Sequence, residues 1–434
     1  MRGVNRLLAA AVLVALIAAG FIAGYGYGQR SQAATSTRAQ GHRLLDEIVG
    51  HIRETYIDRN VDEQKLFFGA AKGMLEALGD PYSGFFDPEA NQLMRQDFQG
   101  VFFGVGMFIE VDKAGKLIVV QPIEGTPAAR AGLRAGDHIT KINEKPTEGM
   151  TSQEAAVRIR GPKGTTVRLT IRRGDNVFEF NIVRDRIEVV GGEGPGSLDA
   201  ATRSALRQLG IGYIKLTLFN ERTVKTFDRL FDEARRSGAR GLILDLRNNP
   251  GGLLESSLEL ADRFVPAGQP LVHTVDRNGR RATEQATGRP KVGMPAIVLV
   301  NEFSASAAEI VAGALQDSGV ATLIGVKTFG KGVIQTIFNL SLNSGVSITT
   351  AKYLTPKGRD IHTKGLVPDM TVGQTEEALR EQLRGRSEAE VEQRVMQMKA
   401  SQLQQAIEIL RRKMSRSDLQ PFAPSRARAR LAAA

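Results

Sequence analysis

The sequence predicts a multidomain protein that combines α+β and α/β parts. The length of 434 residues exceeds what a single hydrophobic core usually holds, so we expect two or three domains. The apolar share of 42% and the charged share of 24% are typical of globular chains. The hydrophobic period is helical before residue 98, alternates over 98–186, and becomes a succession of strands and helices over 187–374.

The net charge of +11 is confined to the two ends of the chain. Residues 1–43 carry five arginines and no acid, and residues 411–434 carry seven basic residues against Asp418. The body between them is therefore neutral, and we expect no nucleic-acid binding. The chain has no cysteine, which excludes disulfides, thiolate catalysis and cysteine-ligated metals. No His, Asp and Glu cluster has metal-binding spacing, so we predict neither a metal nor a cofactor.

Residues 1–37 are predicted to be a signal anchor with a linker. Leu7–Tyr25 is an uninterrupted run of 19 apolar and small residues that follows Arg2 and Arg6. Its length is close to the roughly 20 residues that span a bilayer. Basic residues before it keep that end cytoplasmic and place the body outside. A signal peptide cleaved after Ala33 is the alternative, and both interpretations predict a body exported to the periplasm or the extracellular side.

Two further stretches are predicted to be helical. Residues 38–97 form the first and contain the turn signal Gly79–Gly84. Residues 375–414 form the second, and Ser387–Met414 within it carries one apolar stripe. That stripe either packs on its own domain or forms the contact of a homodimer or other homo-oligomer. Residues 415–434 are predicted to be a basic disordered tail.

Residues 98–186 are predicted to form a compact module of strands with two short helices. The loop Gly104–Gly106 stands before a strand, and Ala128–Leu133 and Gly136–Ile139 follow it. The module resembles a PDZ domain. Backbone N–H groups of such a loop can bind a C-terminal carboxylate, while the adjoining strand edge accepts the peptide as an added strand. The predicted substrate-binding residues are Phe103, Gly104, Val105, Gly106 and Met107, with Val157 and Ile159 beside them.

Residues 187–374 alternate predicted strands and helices, which indicates a sheet covered by helices. A helix opens near Ser306, directly after the apolar strand Ala296–Val300. Backbone N–H groups and the positive helix end gather at such a junction and favour a developing negative charge. Ser306 and Glu309 also have the spacing of a capping box, so a helix cap is the structural alternative.

A second segment offers a general base. Lys331 lies between two glycines and before an apolar strand-like run, which is a poor setting for a merely solvated lysine. Burial can lower a lysine pKa from about 10.4 toward about 7–8, at a cost of about 3–4 kcal/mol. No histidine lies in a recognisable triad setting, although the sequence does not exclude His362. The five histidines are His42, His51, His138, His273 and His362.

Four segments in chain order carry a specific resemblance: Leu244–Gly252, Ser304–Ala307, Thr328–Gly332 and Gly365–Asp369. They resemble the C-terminal processing peptidases, which are serine proteases with a serine–lysine dyad and an inserted PDZ domain. The match extends from about residue 40 to residue 373. It implies a ClpP/crotonase-like serine-protease core and protein substrates with flexible apolar C-termini.

The resemblance also implies roles for individual residues. Ser306 is then the nucleophile, Lys331 the general base, and Gln335 the residue that orients Lys331. Gly252 and Ala307 would supply the oxyanion-hole N–H groups. Arg160 falls where related enzymes carry a PDZ arginine that reaches the dyad when substrate is bound.

Two rival functions are weighed against this interpretation. The spacing Gly325–Lys331 matches a P-loop, but Gly332 stands where the magnesium-binding Ser or Thr would be, and a strand follows. A catalytically inactive PDZ adaptor that binds protein C-termini is the second rival, with Ser306 serving only as a helix cap. Asp245 and Arg247 are interpreted as a strand-end ion pair.

Overall fold

The computed structural model describes residues 37–417, apart from 112–115, 124, 135, 151, 174–175, 189–190 and 289. The chain divides into two compact units, one up to Gly79 and one from Asp80 onward. The described part of the first unit is helical, with α1 over residues 37–55 and α2 over Glu63–Glu76. The Asp62 side chain caps α2 by accepting the backbone N–H of Lys65.

No helix within residues 37–417, as far as they are described, has both the length and the apolar character that crossing a bilayer requires. The predicted anchor Leu7–Tyr25 lies outside the described residues, as does most of the predicted tail.

The second unit begins with a strand and a helix that precede the PDZ-like module. They are β1 (Gly84–Phe86) and α3 (Pro88–Gln99). β1 pairs with β18 (Gly345–Leu354). Part of the predicted N-terminal helical region is therefore a strand, and it joins a much later part of the chain. Long-range strand pairing of this kind leaves no local periodic signal in the sequence.

The PDZ-like module contains one antiparallel sheet in the order β3-β4-β5-β7-β8, with β6 beside β5. A separate pair, β2 with β9, closes the two ends of the module. Its elements are β2 (Val101–Gly104), β3 (Met107–Val111), β4 (Leu117–Pro122), α4 (Pro127–Arg130), β5 (His138–Ile142), β6 (Lys145–Pro146), α5 (Ser152–Ile159), β7 (Thr166–Arg173), β8 (Asn176–Val183) and β9 (Asp185–Glu188). β3 is an edge strand, and α5 packs near it.

The central sheet of the second unit has the order β10-β11-β12-β15-β16-β19. All neighbours are parallel except β10, which lies antiparallel to β11 and is formed by the glycine-rich join 191–197. The strands are β10 (Gly192–Glu193), β11 (Ile211–Leu216), β12 (Gly241–Asp245), β15 (Ala296–Val300), β16 (Ala321–Gly325) and β19 (Met370–Thr371). The predicted succession of strands and helices is thus confirmed as a mixed α/β core.

Helices cover both faces of this sheet because alternate strand residues point in opposite directions. Leu244 and Val298 lie in an apolar layer with α7 (Thr223–Arg236), α8 (Leu254–Asp262) and α9 (Ala307–Asp317). Ile243 and Leu299 lie in the opposite layer with α6 (Ala200–Leu209) and α11 (Glu388–Ser417). A short helix, α10 (Glu376–Gln382), precedes α11.

A second sheet, centred on β18, lies beside the central one. β13 (Pro270–Asp276) and β17 (Val333–Asn339) pair with β18, and β14 (Arg281–Gln285) pairs with β13. β17 directly follows Thr328–Gly332, the segment that we call the lysine loop. This loop therefore differs from a P-loop, in which a helix follows the lysine.

The packing of the C-terminal helix α11 decides between the two interpretations of its apolar stripe. Val391, Leu403 and Leu410 are buried, and Leu403, Leu410 and Met414 pack in the same layer as the central sheet. The stripe therefore covers the chain's own domain. α11 extends three residues past the predicted end at Met414.

Candidate active site

Ser306 lies at the junction between β15 and α9. Its backbone has φ 54° and ψ −117°, which is a rare conformation for a residue with a side chain. Such strained residues cluster at active sites. An ordinary N-cap residue has extended backbone angles, so Ser306 has an unusual conformation for the N-cap of α9, although it forms a capping box with Glu309. The backbone N–H of Ser306 donates to Glu309 Oε2 at 3.0 Å.

Glu309 links the serine to the lysine loop. Its side chain is fully buried and accepts four hydrogen bonds. Oε2 accepts the backbone N–H groups of Ser306 (3.0 Å) and Lys331 (2.9 Å). Oε1 accepts the Thr328 hydroxyl (2.5 Å) and the backbone N–H of Gly330 (2.8 Å). One carboxylate therefore fixes both predicted dyad segments.

Burial raises the pKa of Glu309, and the four hydrogen bonds oppose that effect. We call this arrangement, which consists of Glu309 with Ser306, Thr328, Gly330 and Lys331, the Glu309 clamp.

The Lys331 side chain is half-buried. Its Nζ atom lies 4.8 Å from the centroid of the Tyr82 ring. Burial lowers the pKa of Lys331, while the charge of Asp80 acts in the opposite direction. A lowered lysine pKa is what a general base near neutral pH requires. The predicted desolvation of Lys331 is therefore present in the structure.

Gln335 lies on β17, four residues beyond Lys331. It pairs in register with Thr349 of β18, and its Nε2 donates to Thr349 Oγ1 at 3.3 Å. The side chain is thus directed along the strand pair, and its assigned role of orienting Lys331 stays a prediction.

The loop Asn249–Gly252, which is predicted to supply an oxyanion-hole N–H group, packs tightly on Ser306. A Cβ atom added to Gly251 would lie 2.7 Å from Ser306 Cβ and 2.9 Å from the backbone nitrogen of Ala307. Only glycine allows this approach. Asn249 holds the loop by accepting the N–H of Gly251 at 2.9 Å. Gly252 follows in the same loop, and Ala307 is the first residue of α9, where N–H groups have no intrahelical partner.

His362 lies near the lysine loop. A Cβ added to Gly332 would come within 2.7 Å of the His362 backbone nitrogen, and the His362 ring meets the Tyr82 ring edge-on at 6.3 Å. The structure thus places one of the five histidines in edge-on contact with the Tyr82 ring.

The PDZ-like module holds an apolar cavity of about 480 Å³ between β3, α5 and α3. Three predicted substrate-binding residues, Val105, Gly106 and Met107, line it. Val105 is also part of the module's core, since only 1% of it is exposed. Residues from α3 line the opposite side: Ala90, Leu93, Met94 and Phe98.

Phe103, Gly104 and Arg160 occupy separate positions around that cavity. Arg160 lines it, and its guanidinium carbon lies 4.3 Å from the centroid of the Phe102 ring. Phe103 lines a neighbouring cavity together with Val157, and its carbonyl accepts the N–H of Gly161. Gly104 ends β2 and pairs with Asp185.

The predicted strand-end ion pair is confirmed. Arg247 Nη2 lies 2.6 Å from Asp245 Oδ2, and both side chains are buried. The Tyr213 hydroxyl donates to Asp245 Oδ2 at 2.9 Å, and Arg247 Nη1 donates to Gln402 Oε1 of α11 at 3.0 Å. The pair therefore ties the central sheet to the C-terminal helix.

The sequence patterns do not reveal two parts of the site. Glu309 was assigned only a capping role, although its contacts reach 22 residues along the chain to Lys331. The turn Asp80–Ser83 was identified only as a turn signal. The Asp-Pro-Tyr-Ser composition indicates a fixed turn, but no local pattern shows that it meets Lys331.

Three family models match the chain. Peptidase family S41 matches residues 210–372, a PDZ domain model matches 118–173, and the activating protease CtpB N-terminal domain matches 27–90. The first match contains Ser306, Glu309 and Lys331, and the second lies within the described module.

Several relatives extend the similarity over most of the chain. Carboxy-terminal processing protease CtpA of Bacillus subtilis is 38% identical over 78% of this chain and 70% of its own length. The carboxy-terminal-processing protease of Bartonella bacilliformis is 40% identical over 76% and 74% of the two chains. Among solved structures, the photosystem II D1 C-terminal processing protease aligns with a TM-score of 0.48 and 30% identity, covering 76% of this chain and 92% of that chain. This chain belongs to the carboxy-terminal processing proteases, serine-type peptidases of family S41.

Proposed function

We propose that this protein is an exported endopeptidase that binds flexible apolar C-termini in its PDZ domain and cleaves near them with a Ser306–Lys331 dyad. The observation that carries the proposal is the Glu309 clamp. It holds the strained serine and the partly buried lysine on one carboxylate, at the N-terminus of α9.

In the proposed reaction, Ser306 Oγ attacks the scissile carbonyl carbon while the neutral Lys331 amine takes the hydroxyl proton. The carbonyl oxygen becomes an oxyanion beside the Gly252 and Ala307 N–H groups. Lys331 then gives its proton to the leaving amine, and the C–N bond breaks to leave an acyl-enzyme. Water hydrolyses this ester with Lys331 again as the base, which restores the Ser306 hydroxyl. The burial that lowers the pKa of Lys331 supports the first step.

Peptide recognition is assigned to the cavity between β3 and α5. The β3 edge can accept an extended peptide as an added strand, and the apolar lining suits a small apolar last residue. The Gly104–Gly106 loop is proposed to bind the terminal carboxylate. Arg160, which lines the same cavity, is positioned to respond to an occupant.

We further propose that residues 7–25 anchor the protein in a membrane or direct its export, with the body on the extracytoplasmic side. The apolar run behind Arg2 and Arg6 supports this placement. A ClpP/crotonase-like core and a homo-oligomeric state are proposed from the family resemblance.

The test uses the full chain and an unstructured peptide that ends in small apolar residues. Cleavage is followed by mass spectrometry for the wild type, Ser306→Ala and Lys331→Ala. We expect both variants to lose at least about 1000-fold in turnover, because each removes one member of the nucleophile–base pair. Cleavage that survives in both variants would refute the dyad.

The carboxylate-binding role has its own test. Amidating the last residue of the peptide removes the charge that the Gly104–Gly106 loop is proposed to bind, so KM should rise about tenfold or more. An unchanged KM would refute this role. If no peptide is cleaved by any form but the peptide still binds, the alternative of an inactive PDZ adaptor is favoured.

A further inference from the structure

The turn Asp80–Ser83 comes before the PDZ-like module in the chain, yet it lies at the lysine of the active site. The Tyr82 ring centroid is 4.8 Å from Lys331 Nζ, which is within the range of a cation–π interaction. Burial acts to raise the pKa of Asp80, but hydrogen bonds from Ser83, Thr349 and Tyr82, together with the charge of Lys331, lower it. Burial lowers the pKa of Lys331, and the charge of Asp80 opposes that effect. The turn therefore places an aromatic ring beside the amine, and Asp80, which holds this turn, carries a charge that favours the ammonium form.

The position of this turn is fixed by the sheet that carries Gln335. Asp80 accepts the Tyr82 backbone N–H at 3.0 Å and the Ser83 hydroxyl at 2.6 Å. The Ser83 oxygen in turn accepts the backbone N–H of Thr349 at 3.1 Å. Thr349 is the register partner of Gln335, and the next residues of the chain pair with β18. Hydrogen bonds thus hold the turn at Asp80, Tyr82 and Ser83.

The proposed reaction makes Lys331 cationic at the moment it takes the serine proton. A buried lysine pays a desolvation cost for that charge, and neighbouring groups that favour a cation reduce the cost. Serine–histidine proteases meet the same need with a carboxylate that stabilises the imidazolium. In this chain the Tyr82 ring lies within reach of the amine, and the charge of Asp80 on the same turn favours the cation.

We infer that Tyr82 and Asp80 are positioning residues of the catalytic site, which hold the Lys331 amine and stabilise the ammonium that forms during serine attack. The inference rests on the proposed function of Lys331 as general base. The Asp80–Ser83 turn would thus act on Lys331 in addition to Gln335, whose predicted role is to orient the same side chain.

Other titratable groups near Lys331 must be separated from this effect. Glu309 accepts the Lys331 backbone N–H, and Tyr353 donates from its hydroxyl to the Ser306 carbonyl at 3.2 Å. The His362 ring meets the Tyr82 ring edge-on at 6.3 Å. None of these three residues lies on the Asp80–Ser83 turn. Tyr82→Leu removes the ring that His362 contacts, whereas Asp80→Asn leaves that ring in place.

The experiment measures kcat/KM and kcat against pH for the wild type, Tyr82→Leu, Tyr82→Phe and Asp80→Asn, with the apolar-tailed peptide as substrate. Removing a group that favours the cation lowers the pKa of Lys331, so the acid limb should move to lower pH. For Tyr82→Leu and Asp80→Asn we expect a movement of about half a pH unit and a limiting kcat about 3- to 10-fold below that of the wild type. Tyr82→Phe keeps the ring and should restore the position of the limb.

The matched control is Asp276→Asn. Asp276 accepts the backbone N–H of Asn278 two residues on at 2.8 Å, as Asp80 does with Tyr82, but it serves the β13–β14 turn. Its acid limb and kcat should equal those of the wild type. Acid limbs of Tyr82→Leu and Asp80→Asn that coincide with the wild type, in variants whose thermal unfolding is unchanged, would overturn the inference. Failure of the proposed function itself would appear differently, as full activity in Lys331→Ala.

Discussion

Two buried carboxylates in the second unit have opposite kinds of partner. Asp245 faces a cation, since the Arg247 guanidinium bonds it at 2.6 Å. The hydrogen bonds that Glu309 accepts come from neutral donors, namely three backbone N–H groups and the Thr328 hydroxyl. The ion pair at Asp245 joins a strand to α11, and Glu309 joins the proposed nucleophile Ser306 to the proposed base Lys331. The ion pair thus maintains the fold, while the neutral clamp sets the geometry of the candidate site.

The largest effect is expected from breaking the ion pair. Arg247→Met keeps the apolar stem but leaves Asp245 buried without its cation, which should lower the free energy of unfolding by about 3–5 kcal/mol. Urea unfolding followed by circular dichroism measures the change. Adding Asp245→Asn to this variant should recover part of the loss, because no buried charge is then left unpaired.

The control for that prediction is Arg229→Ala, which removes an exposed pair with Glu233 at 2.8 Å. It should leave the unfolding midpoint nearly unchanged. An Arg247→Met variant as stable as this control would contradict the structural role of the ion pair.

The next effect concerns the clamp. Glu309→Gln replaces one carboxylate oxygen by an amide NH2 group, which cannot accept a hydrogen bond. Since each oxygen accepts two bonds, either the pair from Ser306 and Lys331 or the pair from Thr328 and Gly330 is disrupted. We expect kcat to fall about 10- to 100-fold while KM for the peptide stays within about twofold, because the dyad and not the peptide cavity is displaced. Glu259→Gln on α8 is the control. A change in KM with an unchanged kcat would show that the clamp does not position the dyad.

How far the sequence predicts this site depends on the range of each contact. A strand-to-helix junction and a glycine-flanked lysine are local signals that make Ser306 and Lys331 candidates, and the family resemblance implies their roles. The capping pattern correctly indicated that the Glu309 carboxylate bonds to the Ser306 backbone. Its bonds to the lysine loop, and the approach of Tyr82 to Lys331, join residues that are distant in the chain. Hydrophobic periodicity records which face is buried but not which polar groups meet, so these contacts needed the structure.

The two carboxylates should also give opposite pH dependence of stability. Burial raises the pKa of Glu309 above its ordinary value of 4.5. The contribution of Glu309 to the free energy of unfolding is therefore full below that pH and is lost as pH rises through the folded-state pKa. For Asp245, burial acts upward, but Arg247 outweighs it and lowers the pKa below 3.8. Its contribution is present above that pH and is lost as pH falls through the folded-state pKa.

Urea unfolding at intervals from pH 4 to pH 8 measures both terms. The destabilisation caused by Glu309→Gln should shrink as pH rises, whereas that caused by Asp245→Asn should be at its full size from about pH 5 upward. Costs that change in the same direction would contradict the contrast between the two sites.

The smallest effects are expected from removing one neutral partner of each carboxylate network. Thr328→Val removes a hydroxyl donor to Glu309, and Gln402→Met removes one of the two acceptors of Arg247 on α11, the other being the Lys399 carbonyl. Each should lower the free energy of unfolding by about 1–2 kcal/mol. Only Thr328→Val should also lower kcat, by several-fold. Equal kcat values for Thr328→Val and Gln402→Met would contradict the assignment of the Glu309 clamp to the site and of the ion pair to the fold.

The most direct test of the dyad is covalent labelling with a fluorophosphonate, which reacts with activated serines and forms a stable adduct. Peptide mapping by mass spectrometry should place the adduct on Ser306. The labelling rate should fall at least about 100-fold in Lys331→Ala, because the neutral amine is the base that activates the hydroxyl. An adduct on another residue, or a labelling rate at Ser306 that is the same without Lys331, would contradict the account.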